Sequence, residues 1–335
     1  MSGETGAGLA AGVRSGDRTL LARAITLVES DAEEHAQAAQ ELLRDLLPCA
    51  GGAIRIGVTG APGAGKSTLI EALGTLLTAR GRHVAVTAID PSSSVSGGSV
   101  LGDKTRMARL ALDPRAFVRP SPARGALGGV ARKTRETILL FEAAGYDVVI
   151  VETVGVGQSE MAVRSLVDFF LLVVAPGGGD GLQAIKRGVG ELADAVVVSK
   201  ADGPGRAAAE EARGEHERAL HHMQPATPGW RPSALAASAL HGEGVEALWD
   251  VVEAFRARGE SSGSLAARRR EQAREWLRSL VEEELLRRFH AHPEVAALLP
   301  EVERQVVAGE ITAASGATRL LAVAQGDAAG GRRHS

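Results

Sequence analysis

Nine consecutive residues, Gly60-Ala61-Pro62-Gly63-Ala64-Gly65-Lys66-Ser67-Thr68, fit the pattern G-x-x-x-x-G-K-S/T. Such a loop wraps a polyphosphate in backbone N–H groups. Glycines at 60, 63 and 65 permit positive φ and close approach of the backbone to a ligand. Lys66 carries a charge on a stem long enough to reach β- and γ-phosphates, and the Ser67 hydroxyl is an oxygen ligand for Mg²⁺. The remainder of the chain must then supply a means of choosing the base, further oxygen ligands, and groups that stabilise a transferring phosphate.

For the base, Ser199-Lys200-Ala201-Asp202 has the form of the guanine-reading N/T-K-x-D motif, with Ser in first place. The Asp202 carboxylate can accept from the guanine N1–H and 2-amino group. Adenine offers no such pair of donors, so a site built this way rejects it. The Lys200 stem packs over the base plane, and Ser238-Ala239-Leu240 resembles the loop whose backbone N–H meets guanine O6. The nucleotide expected is therefore GTP or GDP.

Mg²⁺ takes oxygen ligands and keeps several waters. Asp90, Asp103 and Glu152 are the candidates beside Ser67. Asp90 and Glu152 follow strands expected to flank the strand before the P-loop, Asp103 ends a Ser/Gly-rich loop, and one of the three is expected to act only through a water or a neighbour. Hydrolysis needs a positioned water and charge compensation. Lys66, Glu152, Gln158 and Lys186 are the candidate catalytic residues. Gln183 and Lys186 lie in the glycine-rich stretch from Pro176 to Lys186, which could reach the nucleotide from a third side. Slow intrinsic turnover, accelerated by a partner, is the expectation.

These residues need a scaffold. Ile54, Ile56 and Val58 lead into the P-loop with strand character, and Leu69, Ile70, Leu73 and Leu77 lead out at helical spacing. Val84 to Ile89, Phe117 to Arg119, Asp147 to Thr153, Phe169 to Val174, Ala195 to Val198 and Leu235 to Ala237 read as further strands. Their unbroken branched runs suit a parallel sheet covered on both faces. Strands alternate with helices, so the fold class expected is α/β: a doubly wound, mostly parallel sheet with helical extensions at both termini. Residues 1–50 read as an N-terminal helical extension, 51–260 as the nucleotide-binding domain and 261–335 as a C-terminal helical arm and tail. Met1 to about Ser15 reads as disordered, and Asp17 as the cap of the first helix. Ser30 or Asp31 would cap a second helix, Ser261 to Ser264 would be a linker, and a last helix would cover Val302 to Val323. The stripe Leu277, Leu280, Val281, Leu285 and Phe289 either packs on the domain's own surface or forms a dimer arm.

Composition narrows the function. With 44% apolar residues in 335 the chain can bury a sizeable core. Aromatics are only 3%, too few for base-stacking platforms, and a net charge of −3 gives no global attraction to nucleic acid or an anionic membrane. The lone Cys49 excludes an internal disulfide and any CxxC site. No signal peptide is read at the start, and the run Phe169 to Pro176 is too short to span a bilayer. A cytoplasmic location follows as the expectation.

Taken together, GAPGAGKST, AIDPSSSVSGGSVLGDKTRM, VETVGVGQSE, VSKADG and SALHGEGV resemble the MeaB-type P-loop GTPases, a family also described as arginine/ornithine transport system kinases. The resemblance implies a GTP-hydrolysing chaperone of an adenosylcobalamin-dependent acyl-CoA mutase, methylmalonyl-CoA mutase or isobutyryl-CoA mutase, that gates cofactor loading and protects the mutase. It also implies a homodimer held by the C-terminal helices, Mg²⁺-site acids at Asp90, Asp103 and Glu152, and a partner-responsive loop at Gly177 to Lys186. Three alternatives remain: a metallochaperone GTPase, for which the nine scattered histidines offer no third ligand beside His221-His222, a nucleotide-dependent kinase linked to amino-acid transport, and a non-catalytic nucleotide-binding interaction module, which measurable phosphate release would exclude.

Overall fold

The computed structural model describes residues 6–89, 107–119, 127–153, 159–177 and 190–325. Seven parallel strands form one sheet: β1 (Ile54–Thr59), β2 (Val84–Ile89), β3 (Ala116–Arg119), β4 (Val148–Thr153), β5 (Phe169–Val174), β6 (Ala195–Val198) and β7 (Ser233–Ala236). Their order is β3-β2-β4-β1-β5-β6-β7, so the P-loop strand β1 is central and pairs with β4 and β5. The strand β2 is one place further out, beyond β4. The expectation that Asp90 follows a strand flanking β1 is thus corrected. Asp90 itself lies outside the described residues, as do Asp103, Gln158, Gln183 and Lys186.

Before the sheet come helices α1 (Gly6–Arg14), α2 (Arg18–Glu29) and α3 (Glu33–Leu46). Within and after it run α4 (Lys66–Ala79), α5 (Ala108–Leu112), α6 (Leu127–Ala143), α7 (Ser159–Arg164), α8 (Arg206–His222), α9 (Val245–Ser262), α10 (Ser264–Ala291), α11 (Pro293–Val307) and α12 (Ala313–Ala324). The pleat sends alternate residues of each strand to opposite faces. Val149, Val151 and Phe170 join one core with α1, α2, α3 and α6, while Val148, Ile150, Phe169 and Leu171 join another with α4 and α9. Both faces are covered, which is why the strands carry continuous apolar runs.

Within the stretch expected to be disordered, Gly6–Arg14 form a helix. Leu9, Ala10 and Val13 make a short apolar stripe on α1, and Ala10 and Val13 are fully buried against the same core. Small residues hid the stripe in the composition. Asp17 caps α2 as expected, accepting from the N–H groups of Thr19 and Leu20 at 2.8 and 3.0 Å. Arg18 then fastens α2 to the sheet edge, donating to the carbonyls of Pro114 (3.0 Å) and Ala116 (2.5 Å). At α3 the cap position is Ala32, without a side-chain cap. Ser30 instead accepts from the Ala32 N–H and pairs with His35, closing the turn ahead of the helix.

The chain divides into two compact units, residues 1–268 and 269–335. The expected linker at Ser261 to Ser264 is one residue: Gly263, at φ 74°, ends α9, and α10 starts at Ser264. A left-handed glycine stops a helix as effectively as a longer loop. In the second unit Val295, Val302 and Leu320 form a small core with Phe289 packed on it. The expected last helix is two, because residues 308–312 break it between α11 and α12. Leu277, Val281 and Leu285 of the α10 stripe are exposed. Among the described residues no helix is long and apolar enough to cross a membrane.

Under the sheet, Arg55 of β1 and Glu142 of α6 form a bidentate pair, with N–O distances of 2.9 and 2.9 Å, and Glu142 also accepts from the Gly51 N–H at 2.8 Å. The Glu142 side chain is fully buried. Removing one partner strands the other charge in a low dielectric. We expect Glu142→Gln to lower the unfolding free energy by about 3 kcal/mol in a denaturant titration. A loss below about 1 kcal/mol would show that the pair behaves like a surface one.

Candidate functional site

Ligands of a doubly wound sheet sit at the carboxyl ends of its strands, and four such ends converge here. After Thr59 the chain turns at Gly60, whose φ is 145°. A Cβ at this position would lie 2.1 Å from the carbonyl oxygen of Val173 on the neighbouring strand β5. Only glycine allows β1 to leave the sheet this close to β5. The turn continues with Gly63 at φ 78° and Gly65 at φ 91°, the latter as the N-cap of α4. No side chain caps α4, so its first-turn N–H groups and positive end are left to a ligand. Ala61 and Gly65 are half-buried, Ala64 is buried, and Pro62, Gly63 and Thr68 are exposed.

Lys66 and Ser67 open α4 and are both buried. Lys66 Nζ donates to the carbonyls of Gly60 (2.8 Å) and Ala61 (3.2 Å), which draws its charge back over the loop. Ser67 Oγ donates to Glu152 Oε1 at 2.8 Å. Glu152 is the penultimate residue of β4, not part of a following loop, and is 4% exposed. A hydroxyl and a carboxylate meeting at the phosphate end of a P-loop form an all-oxygen donor pair, the kind that suits a hard dication. No group of three or more His, Cys, Asp or Glu that could hold a metal occurs among the described residues.

The base-reading candidates follow β6 and β7. Lys200 has φ 56°, alone among the described non-glycine residues in the left-handed region. Such strain persists where surrounding contacts enforce it. Here Ala201 N–H bonds the Ala237 carbonyl at 3.2 Å and ties the two loops together. Ser238 Oγ donates to Asp202 Oδ2 at 2.5 Å, fixing the plane of that carboxylate. Within the loop Ser238-Ala239-Leu240 the N–H of Ser238 is committed to the Glu243 carbonyl at 2.8 Å. Leu240 is 77% exposed.

One residue has a contact that the sequence alone does not indicate. Ser199 replaces the amide of the usual motif, yet its buried hydroxyl donates to the Ala64 carbonyl at 2.6 Å and lies 3.1 Å from the Val174 carbonyl. It joins the base loop directly to the P-loop. The signal available was a small hydroxyl residue at a strand end. That signal acquires meaning only once β6 is known to lie one strand from β1.

Comparison with known proteins agrees with this geometry. The family model described as methylmalonyl-CoA mutase-associated GTPase MeaB matches residues 21–294. A probable GTPase of Mycobacterium tuberculosis is 53% identical over 317 residues, covering 95% of this chain and 94% of that one. The mitochondrial methylmalonic aciduria type A homolog of Mus musculus is 44% identical over 320 residues, 92% of this chain and 77% of its own. The crystal structure of a protein named LAO/AO transport system kinase superposes with a TM-score of 0.78 at 37% identity, covering 97% of this chain and 99% of that one. The P-loop with its Ser67–Glu152 pair, the strained base loop and these matches converge: this chain belongs to the MeaB family of P-loop GTPases, enzymes that hydrolyse GTP.

Proposed function

We propose that this GTPase is a chaperone of an adenosylcobalamin-dependent acyl-CoA mutase of the methylmalonyl-CoA type, that it gates cofactor loading and protects the mutase, and that it acts as a cytoplasmic homodimer. The observation that carries the nucleotide half of this reading is the Ser199 bond to Ala64, which unites a phosphate loop and a guanine loop in one rigid cradle. The family match and the mitochondrial relative support the mutase half. The exposed stripe Leu277, Val281 and Leu285 supports a second copy as the partner of α10; a row of apolar side chains left in water favours such burial.

In this reading residues 60–68 wrap the phosphates and Lys66 leaves its loop carbonyls for the β- and γ-phosphates. Asp202, oriented by Ser238, accepts from the guanine edge, Lys200 covers the base, and the N–H groups of Ala239 and Leu240 meet its O6. Ser67 and Glu152 would hold Mg²⁺, directly or through water, and the ion would neutralise charge building on the phosphate oxygens. Asp90 and Asp103 are the further acids assigned to that ion. Gln158 orients the attacking water, and Gln183 and Lys186 act when the partner is bound.

The kinase reading is favoured by one observation, the name carried by the structural neighbour. It requires phosphate to appear on an acceptor. Recovery of all of it as inorganic phosphate, with no labelled acceptor, excludes that reading.

Three measurements test the proposal. Wild-type protein should bind GTP in preference to ATP by ~10⁴-fold, and Asp202→Asn should move preference toward xanthine nucleotides, because an amide offers a donor to the xanthine 2-oxygen. Equal ATP and GTP affinities by calorimetry would remove the guanine assignment. Ser67→Ala should raise the Mg²⁺ concentration needed for half-maximal hydrolysis; an unchanged Mg²⁺ titration contradicts the ligand role. Finally, purified mutase should accelerate hydrolysis by ~10³–10⁵-fold and bind the GTP and GDP forms with different affinity, as linkage demands. Neither complex nor acceleration with methylmalonyl-CoA or isobutyryl-CoA mutase would discard the chaperone reading.

A further inference from the structure

At the opposite end of the sheet from the nucleotide loops, where β5 and β6 begin, charged groups are buried that no step of hydrolysis uses. Asp194, just before β6, is fully buried. Its Oδ2 accepts from Arg164 Nη1 at 3.0 Å and from the Phe170 N–H at 2.9 Å, with Arg268 Nη1 at 3.7 Å. Its Oδ1 accepts from the Thr227 hydroxyl. That hydroxyl in turn accepts from Arg164 Nη2 at 3.1 Å and from Arg268 Nη2. Arg268 also donates to the Asp168 carbonyl and lies 5.7 Å from the Phe255 ring centroid. Burial pulls the Arg164 guanidinium down to about 10, with the Asp194 charge opposing that and the like charge of Arg268 adding to it. It stays charged at neutral pH.

A buried ionic cluster is a weak route to stability, because apolar packing of the same volume often does as well. What this one does is join elements. Arg164 is the last residue of α7, a helix of only six residues whose first residue follows Gln158 directly in the chain. A helix this short does not hold itself in place. It lies across the P-loop strand, where a Cβ on Gly57 would come within 2.7 Å of Val163 Cγ1. Its far end is set by Arg164. Arg268 sits in the second turn of α10, the helix whose later part forms the start of the second unit.

We infer that Arg164 and Arg268, linked through Asp194 and Thr227, are positioning residues for GTP hydrolysis that couple the root of α10 to the helix carrying the Gln158 segment. The inference rests on the proposed role of that segment. Neither arginine touches the nucleotide; each acts by fixing α7.

The test uses the full-length protein and steady-state GTP hydrolysis. Arg268→Met and Arg164→Met should each lower kcat by roughly 2- to 30-fold, with the KM for GTP unchanged, because the P-loop and base loops are untouched. Arg268→Lys should recover part of the loss. The double variant should fall short of the product of the two single effects, as expected for residues in one network. Glu142→Gln, which breaks a buried pair outside the cluster, should lose stability but keep kcat, so loss of stability alone does not imitate the result. Gln158→Ala separates the two readings. Normal kcat in both arginine variants beside a lowered kcat in Gln158→Ala overturns the coupling alone. Normal kcat in all three overturns the Gln158 role and the coupling with it. Lowered kcat in the arginine variants with Gln158→Ala unaffected overturns the Gln158 role and, with it, the inferred route from the cluster to hydrolysis. A fall in kcat that multiplies in the double variant, or that Glu142→Gln reproduces, overturns the coupling as well.

Discussion

The structure depends on one close approach, that of Gly60 to the Val173 carbonyl of β5. Backbone N–H groups can surround a phosphate only if the chain leaves β1 sharply enough to start α4 within six residues. The turn begins between two paired neighbours, β4 and β5, with no room for a side chain. Everything with chemistry is then placed relative to that turn. Glu152 comes from β4, on one side, to meet Ser67. Ser199 comes from beyond β5, on the other, to meet Ala64. The P-loop is thus held by two side chains from opposite sides of the sheet, and a rigid cradle of this kind needs little reorganisation when charge moves onto a phosphate oxygen.

Much of this was legible in the sequence, for identifiable reasons. The P-loop is a local signal: its glycines, lysine and hydroxyl are contiguous, and strand and helix flank it directly. The core strands could be read because burial on both faces requires unbroken apolar runs, and Val148 to Val151 and Phe169 to Val174 supply them. Asp17 could be read as a cap because a cap acts within three residues. What could not be read depends on strand order. Asp90 follows β2, and only the sheet reveals that β4 stands between β2 and β1. The role of Ser199 could not be read because its acceptor, the Ala64 carbonyl, is 135 residues away in the chain. Helix α1 was missed because Ala10 and Val13 bury little area each; what orders them is the core that α2, α3 and α6 have already formed.

The two ends of the sheet are built differently. At the carboxyl ends the polar groups are loop N–H groups and hydroxyl–carboxylate pairs, Ser67 with Glu152 and Ser238 with Asp202. At the amino ends they are large, ionised and paired with one another: Arg55 with Glu142, and Arg164 and Arg268 with Asp194. The first arrangement sets each carboxylate against a neutral hydroxyl, whereas the second sets carboxylate against guanidinium. The second is complete without any ligand. Asp168 and Asp194 stand immediately before β5 and β6, and each accepts from the backbone of a neighbouring strand, Asp168 from Arg55 N–H and Asp194 from Phe170 N–H, both at 2.9 Å. They staple the strand starts in register.

That asymmetry bears on how a switch can be built from this fold. A ligand bound at the carboxyl ends changes forces there, and the sheet itself is too tightly paired to deform. Movement must pass through an element packed on a face, short enough to shift and anchored at its far end. Helix α7 has these properties: it follows the strand that carries Glu152, crosses β1 at the gap left by Gly57, and ends in Arg164 inside the ionised cluster. An ionic anchor in place of a leucine is the device that would let a small displacement of α7 be registered at Arg268, at the root of the longest helix in the described chain.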